Sequence, residues 1–390
     1  MSCFIPHIDL EYMIRIRRQL HKYPELQFEL PRTLELVRSE LRNMDITFTE
    51  KYGKSSIAAY MNEDKPGFTI ALRADMDALP ITEINNVEYK SRIDGQMHAC
   101  GHDVHTAALL GTIKALNAVK DKINCRLVFI FQASEEGPSG ARLMVEDNVT
   151  DEFDLIIGCH VDNTLDVGSI MARSGVTLAS SDYFRIDLYG TAGHAAAPHA
   201  AKDALQMGVK LYNELMGISR EINPTIPNVL TVSILKAGEK PNIISDHCYL
   251  EGTVRTHSDE IAEYIRRRIV NLSEEIARQH GGRSNVELNI GYGTVISHPV
   301  IASELQRAAR DAGVNVVLPE SPPAMYAEDF AYYIKHKPGA FFFLGTRNIE
   351  KGFTAMTHNN DFDVDEKALE YAAKVFCQFI FNNMDGLTLE

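Results

Sequence analysis

A chain of 390 residues exceeds what one hydrophobic core usually holds, so two domains are expected. Its composition, 45% hydrophobic and 24% charged, is that of an ordinary globular protein. The net charge of -14 argues against nucleic acid as a partner, which needs a basic surface, and no apolar run reaches the roughly 18 residues that span a bilayer.

The N-terminus carries Pro6, His7 and Asp9 and has no basic start followed by an apolar stretch. No secretory signal is read there, and a cytoplasmic protein is expected. The cysteines, at positions 3, 100, 125, 159, 248 and 377, are too scattered for a disulfide framework. Cys125, Cys159 and Cys377 lie in apolar runs and are expected to be buried thiols.

In chain order, amphipathic helices are expected over Leu10–His21, ended near Pro24, and over Arg32–Asn43 behind Pro31. Short β-rich runs then alternate with helices: strand 68–73, helix 106–119, strand 126–131, helix 139–146, strand 154–160. Leu127–Phe131 and Leu155–Ile157 are apolar on consecutive positions, as in strands covered on both faces. The first half therefore reads as α/β with a mainly parallel sheet. Near residue 180 the texture changes. Tyr183–Tyr189 alternates polar and apolar, and is followed by helix 201–220, strands 229–235 and 248–254, helix 259–280 and strand 286–292. This β-α-β-β-α-β order is the ferredoxin-like α+β unit. From His298 the α/β texture returns, with helix 301–312, strand 340–344 and helix 365–382. Residues 176–292 are thus expected as an insertion into a discontinuous domain of 1–175 and 293–390.

Polar residues interrupt these elements at one kind of place. Strand 68–73 runs into Asp75 and Asp77; strand 126–131 runs into Glu135 and Glu136; strand 154–159 ends on His160; and the run His98-Ala99-Cys100-Gly101-His102-Asp103 precedes a helix. In open α/β sheets ligands bind at this edge. Imidazole, carboxylate and thiolate together suit zinc, manganese, cobalt or nickel. The donors are too many for one ion with an open position, so a pair is the better reading. In Glu135-Glu136 one carboxylate can ligate while its neighbour serves as general base. A lone Glu pair is usually a solvated loop; its coincidence with histidines at strand ends points elsewhere. His102–His105 is not the HExxH of one-metal proteases.

The segments 73–80, 97–106 and 131–136 resemble the hippurate hydrolase branch of the dimetal aminoacylase/carboxypeptidase family. That branch includes N-acyl-amino-acid amidohydrolases, N-acetyldiaminopimelate deacetylase and plant hydrolases of indoleacetyl-amino-acid conjugates. The likeness extends to 21–26, 193–199, Glu328-Asp329-Phe330 and His358 ahead of 361–365. It implies that Cys100, His102, Glu136, His160 and His358 hold two divalent ions per subunit, zinc or manganese with cobalt or nickel as options. Glu135 would be the general acid/base. The insertion would be a lid through which two subunits pair, its His194 reaching the partner's active site to steady the oxyanion. Asn242 and Arg255 sit where the family often has contacts to the substrate carboxylate. Asp75, Asp77 and Asp103 would orient ligands or tune their basicity. Ala133, Asp162-Asn163 and Asn359-Asn360 depart from the commoner spelling without removing a ligand, which puts the substrate rather than the chemistry in question. The expected reaction is hydrolysis of an N-acyl amino acid. The alternatives are a dipeptidase or carboxypeptidase with the same metals, and a silent binding protein on this fold.

Overall fold

A computed structural model describes residues 5–318 and 323–389. The chain divides into two compact units. The first comprises the described residues within Met1–Gly175, Ile296–Pro322 and Asp329–Glu390, the second those within Val176–Val295 and Pro323–Glu328.

The first unit is built on an eight-stranded sheet, ordered Thr47–Thr49, Ile57–Met61, Arg126–Gln132, Thr69–Asp75, Leu155–Asp166, Gly339–Arg347, Ser169–Ala172, Asn315–Val316. Its four central strands, from Arg126–Gln132 to Gly339–Arg347, pair in parallel. Ile57–Met61 joins them antiparallel. Every residue of Thr69–Asp75 is buried, as expected of a strand covered on both faces. The helices Leu10–Lys22, His102–Asn117, Pro299–Asp311 and Ala368–Asn383 pack their apolar residues into one core with the sheet. Sequence reading gave no strand at 57–61, an Ala-containing run without alternation that its neighbours' hydrogen bonds hold extended.

Two boundaries near the expected site move. The helix expected from Thr106 begins at His102, because Gly101 takes a left-handed conformation (φ 80°) that turns the chain into it. The strand expected to end on His160 continues to Asp166. Hydrogen bonding to Gly339–Arg347 carries the polar stretch Asp162–Thr164 along.

The second unit holds an antiparallel sheet ordered Asn228–Ala237, His247–Thr256, Ser180–Tyr189, Arg283–Ile290. With the helices Ala204–Leu215 and Asp259–Gln279 it follows the β-α-β-β-α-β order. Burial alternates without exception along His247–Thr256, so one face of the sheet carries the core with both helices. Ala204–Leu215 is shorter than expected: Asp203 caps its start through Leu205 N and Gln206 N. Among the described residues no helix is long and apolar enough to cross a membrane.

Candidate metal centre

The site lies wholly in the first unit. Asp75 ends its strand and Glu135-Glu136 follow theirs. His102 opens its helix, and His160 sits where Leu155–Asp166 outruns its neighbour, whose pairing stops at Gly158. His358 is placed by its N–H donating to Ala99 O at 2.7 Å. Ser134 and His358 both have left-handed backbones (φ 57° and 67°), the local strain often found at functional sites.

These elements bring all five expected ligands together. Cys100, His102 and His160 offer donor atoms within 4.8 Å of one another, as do Cys100, Glu136 and His358, and as do His102, Glu135 and Glu136. Cys100 Sγ lies 3.2 Å from His160 Nε2, and His358 Nε2 lies 3.0 Å from Glu136 Oε1. The groups fit cations. His102 is completely buried, and neither ring nitrogen makes a well-formed hydrogen bond: Nδ1 lies 3.5 Å from Asp77 Oδ1 and Nε2 lies 3.8 Å from Asp75 Oδ2. A buried polar atom left so is costly unless something binds it.

Electrostatics say the same. Burial alone would lower the pKa of His102, but Asp75 and Asp77 outweigh it and raise the ring to about 10. Burial, then the Glu136 and Glu135 carboxylates, push the Cys100 thiol well above its usual range. Glu136 stays low despite its burial because it pairs with His358. Negative groups thus crowd a buried place and favour any cation there.

The expected supporting carboxylates make specific contacts. Asp77 accepts the main-chain N–H of Glu135 at 2.9 Å on one oxygen and that of Glu136 at 3.1 Å on the other. Asp75 accepts His105 Nδ1 at 2.6 Å and Arg73 Nη1 at 2.7 Å. Asp103 accepts Arg17 Nε at 2.9 Å and pairs with His21 Nδ1 at 2.8 Å. Sequence reasoning missed Arg17, Arg73, His105 and Gln132, whose Oε1 accepts Arg73 Nε at 2.9 Å, as parts of this framework. Only His105 carried a local signal, three residues after His102 and so on the same helix face.

In the second unit, His194 and Asn242 come together: Gly193–His194 pairs with Ile243–Ile244, and Ala195 N donates to Asn242 O at 3.1 Å. Both side chains are exposed. Arg255 does not join them. It pairs across from Ser181, at the opposite end of a ladder whose near end is His247↔Tyr189. Eight residues of strand separate the two ends, roughly 26 Å.

Residues 71–382 match the model of peptidase family M20/M25/M40. The chain belongs to this family. That makes it a hydrolase acting on amides. It is 34% identical to thermostable carboxypeptidase 1 of Saccharolobus solfataricus, over 93% of each chain. It is 35% identical to N-acetyl-L-cysteine deacetylase of Bacillus subtilis, over 92% of this chain and 84% of that one. A Bacillus subtilis structure described as a dinuclear metal binding peptidase from this family superposes with a TM-score of 0.84 at 30% identity, covering 97% of this chain and 99% of the other.

Proposed function

We propose that this M20 protein hydrolyses the amide bond of N-acyl amino acids, releasing a free amino acid and a carboxylic acid, with two divalent ions held by Cys100, His102, Glu136, His160 and His358. The observation that carries this reading is that Cys100 belongs to two donor groups, one with His102 and His160 and one with Glu136 and His358. Five donors in two overlapping groups suit two ions better than one. Zinc or manganese fits the mixed donor set, with cobalt and nickel as further candidates. Such ions supply a Lewis acid and lower the pKa of water toward about 7.

Glu135 moves the proton. It is buried beside His102 and Glu136, and Asp77 fixes its main chain. Its carboxylate takes a proton from the attacking water and delivers it to the leaving amine nitrogen. Asp75 and Asp103, each tied to an arginine, keep the ligand-bearing segments in place.

Residues 1–175 and 293–390 form the catalytic domain and 176–292 the lid through which two subunits pair. Two features support pairing. Asn228–Ala237 is an edge strand, and Leu205, Val209, Tyr212 and Met216 form an exposed apolar stripe along the adjacent helix. His194 of the partner subunit steadies the negative charge developing on the carbonyl oxygen. Asn242, beside His194 and so from the partner subunit, and Arg255, from the subunit that holds the ions, contact the amino-acid carboxylate. The protein works in the cytoplasm.

The likeness to thermostable carboxypeptidase 1 favours a second reading, a dipeptidase or carboxypeptidase, in which the acyl group is itself aminoacyl or peptidyl. A hydrolysis screen of acetyl, benzoyl and longer acyl amino acids against dipeptides, with manganese, zinc, cobalt and nickel added separately, decides between them. N-acetyldiaminopimelate belongs in the screen as one specific substrate. Preference for dipeptides would reverse the order of the readings, and no turnover with any metal would leave a binding protein on a hydrolase fold.

A further inference from the structure

His105 takes the ladder position that the sheet leaves open beyond Gly158. The strand Thr69–Asp75 stops pairing with Leu155–Asp166 there, and Val161 N instead donates to His105 Nε2 at 2.9 Å. A main-chain N–H can only donate, so Nε2 carries the lone pair and the ring proton sits on Nδ1. Nδ1 in turn donates to Asp75 Oδ1 at 2.6 Å, and Arg73 Nη1 holds the other oxygen of Asp75 at 2.7 Å.

The far side of Val161 completes the chain. His160 Nδ1 meets Val161 O at 2.8 Å. A carbonyl can only accept, so His160 carries a proton on Nδ1, and its neutral ring is then bare on Nε2, the atom 3.2 Å from Cys100 Sγ. Val161 also touches the turn between Cys100 and His102: a Cβ on Gly101 would lie 2.5 Å from Val161 Cγ2. One residue therefore orients His160 and abuts the turn that carries Cys100 and His102, and His105 holds that residue's main chain.

We propose that His105 is a positioning residue, not a ligand, that fixes the Val161 main chain and through it the tautomer and aim of His160 Nε2. Both of its nitrogens are already committed to the protein. This rests on the metal centre proposed above, and groups that orient a ligating histidine typically contribute 10- to 100-fold to metal affinity.

The test titrates metal-stripped protein with zinc against a chelating indicator and with cobalt by visible absorption. His105→Phe keeps a ring and loses both hydrogen bonds. His105→Asn can still donate to Asp75 but places no atom at Val161. Both variants should weaken one of two binding steps by about 10- to 100-fold, leave the other unchanged and alter the cobalt spectrum. Wild-type affinity at both steps in either variant, whatever its melting temperature, overturns the proposal. Should the variants not fold, nitrogen NMR of the wild-type rings reads the tautomers directly. Nδ1–H on both His105 and His160 is expected, and Nε2–H on either contradicts it. A wild-type protein that binds fewer than two ions overturns the metal centre itself, a result distinct from two-ion binding untouched by His105.

Discussion

Asp77 holds Glu135 by its main chain: one carboxylate oxygen accepts the Glu135 N–H at 2.9 Å while the other takes the N–H of the next residue. The strand end at Asp75 thus fixes the strand end at Gln132, and the proposed general base is aimed through its main chain. In Asp77→Asn an NH2 group must face a main-chain N–H, so the Glu135–Glu136 turn should shift. A misplacement of this kind can cost about 100-fold in rate. Assayed at saturating metal, Asp77→Asn should lose kcat by about that factor with little change in KM. Unchanged kcat would show that the turn holds its shape without Asp77.

Gly101 is required by conformation and by space. Its φ is 80° and an added Cβ would fall 2.5 Å from Val161 Cγ2, on a branched side chain buried against the sheet. Gly101→Ala should destabilise the protein by about 2–4 kcal/mol through left-handed strain plus overpacking. Denaturant unfolding of the metal-free form checks this, and a loss below 1 kcal/mol would mean that the turn relaxes freely.

His21 predicts a pH dependence of stability. It is completely buried, which alone would lower its pKa, but Asp103 and then Glu83 outweigh burial and raise it to about 9. A raised pKa means that the protonated ring stabilises the fold fully below the unfolded value of about 6.5. That contribution is lost as the pH rises through about 9. The shift corresponds to on the order of 3 kcal/mol. Melting curves of metal-free protein should show a progressive fall between about pH 6.5 and about pH 9, and His21→Gln should be less stable at neutral pH and lack that fall. Parallel curves for both proteins would contradict the pairing.

The inserted unit is tested by subunit exchange. His194→Ala and Glu135→Gln dimers should each be nearly inactive. In their heterodimer, one of the two sites combines an intact Glu135 with an intact His194 of the partner subunit. A one-to-one exchanged mixture should recover about a quarter of wild-type activity. No recovery after verified exchange, or an active monomer, would place His194 outside the partner's site.

Much of this was legible in the chain, for reasons that differ by residue. Leu127–Phe131 and Leu155–Ile157 read as buried parallel strands because consecutive apolar residues leave no solvated face. Cys100, His102, Glu136, His160 and His358 were named from the motif they share with the family, and the fold brings them together. The start of the helix at His102 was hidden because His102 and Asp103 are polar yet buried, as are nearly all its other residues, so no amphipathic period marks the boundary. The extension of Leu155–Asp166 past His160 was hidden because a distant strand, Gly339–Arg347, sustains it. Arg73 and Arg17 were invisible as framework residues for a similar reason. Arg17 joins Asp103 and Asp363, 86 and 346 residues away, and Arg73 ties Asp75, two residues on, to Asp329, 256 residues away, so the role of each shows only once its distant partner is placed. Asn242 and Arg255 were named together from the family resemblance, and only strand register shows them at opposite ends of the inserted unit.

The central assignment, Glu135 as proton carrier beside a two-ion centre, is tested most directly by measuring metal content and kcat together in Glu135→Gln. Glutamine keeps the shape and cannot accept the proton, so the expected result is two equivalents of metal, as in the wild type, with kcat lowered by about 10²- to 10⁴-fold. Near-normal kcat would remove Glu135 from the chemistry, and loss of metal would make it a ligand instead.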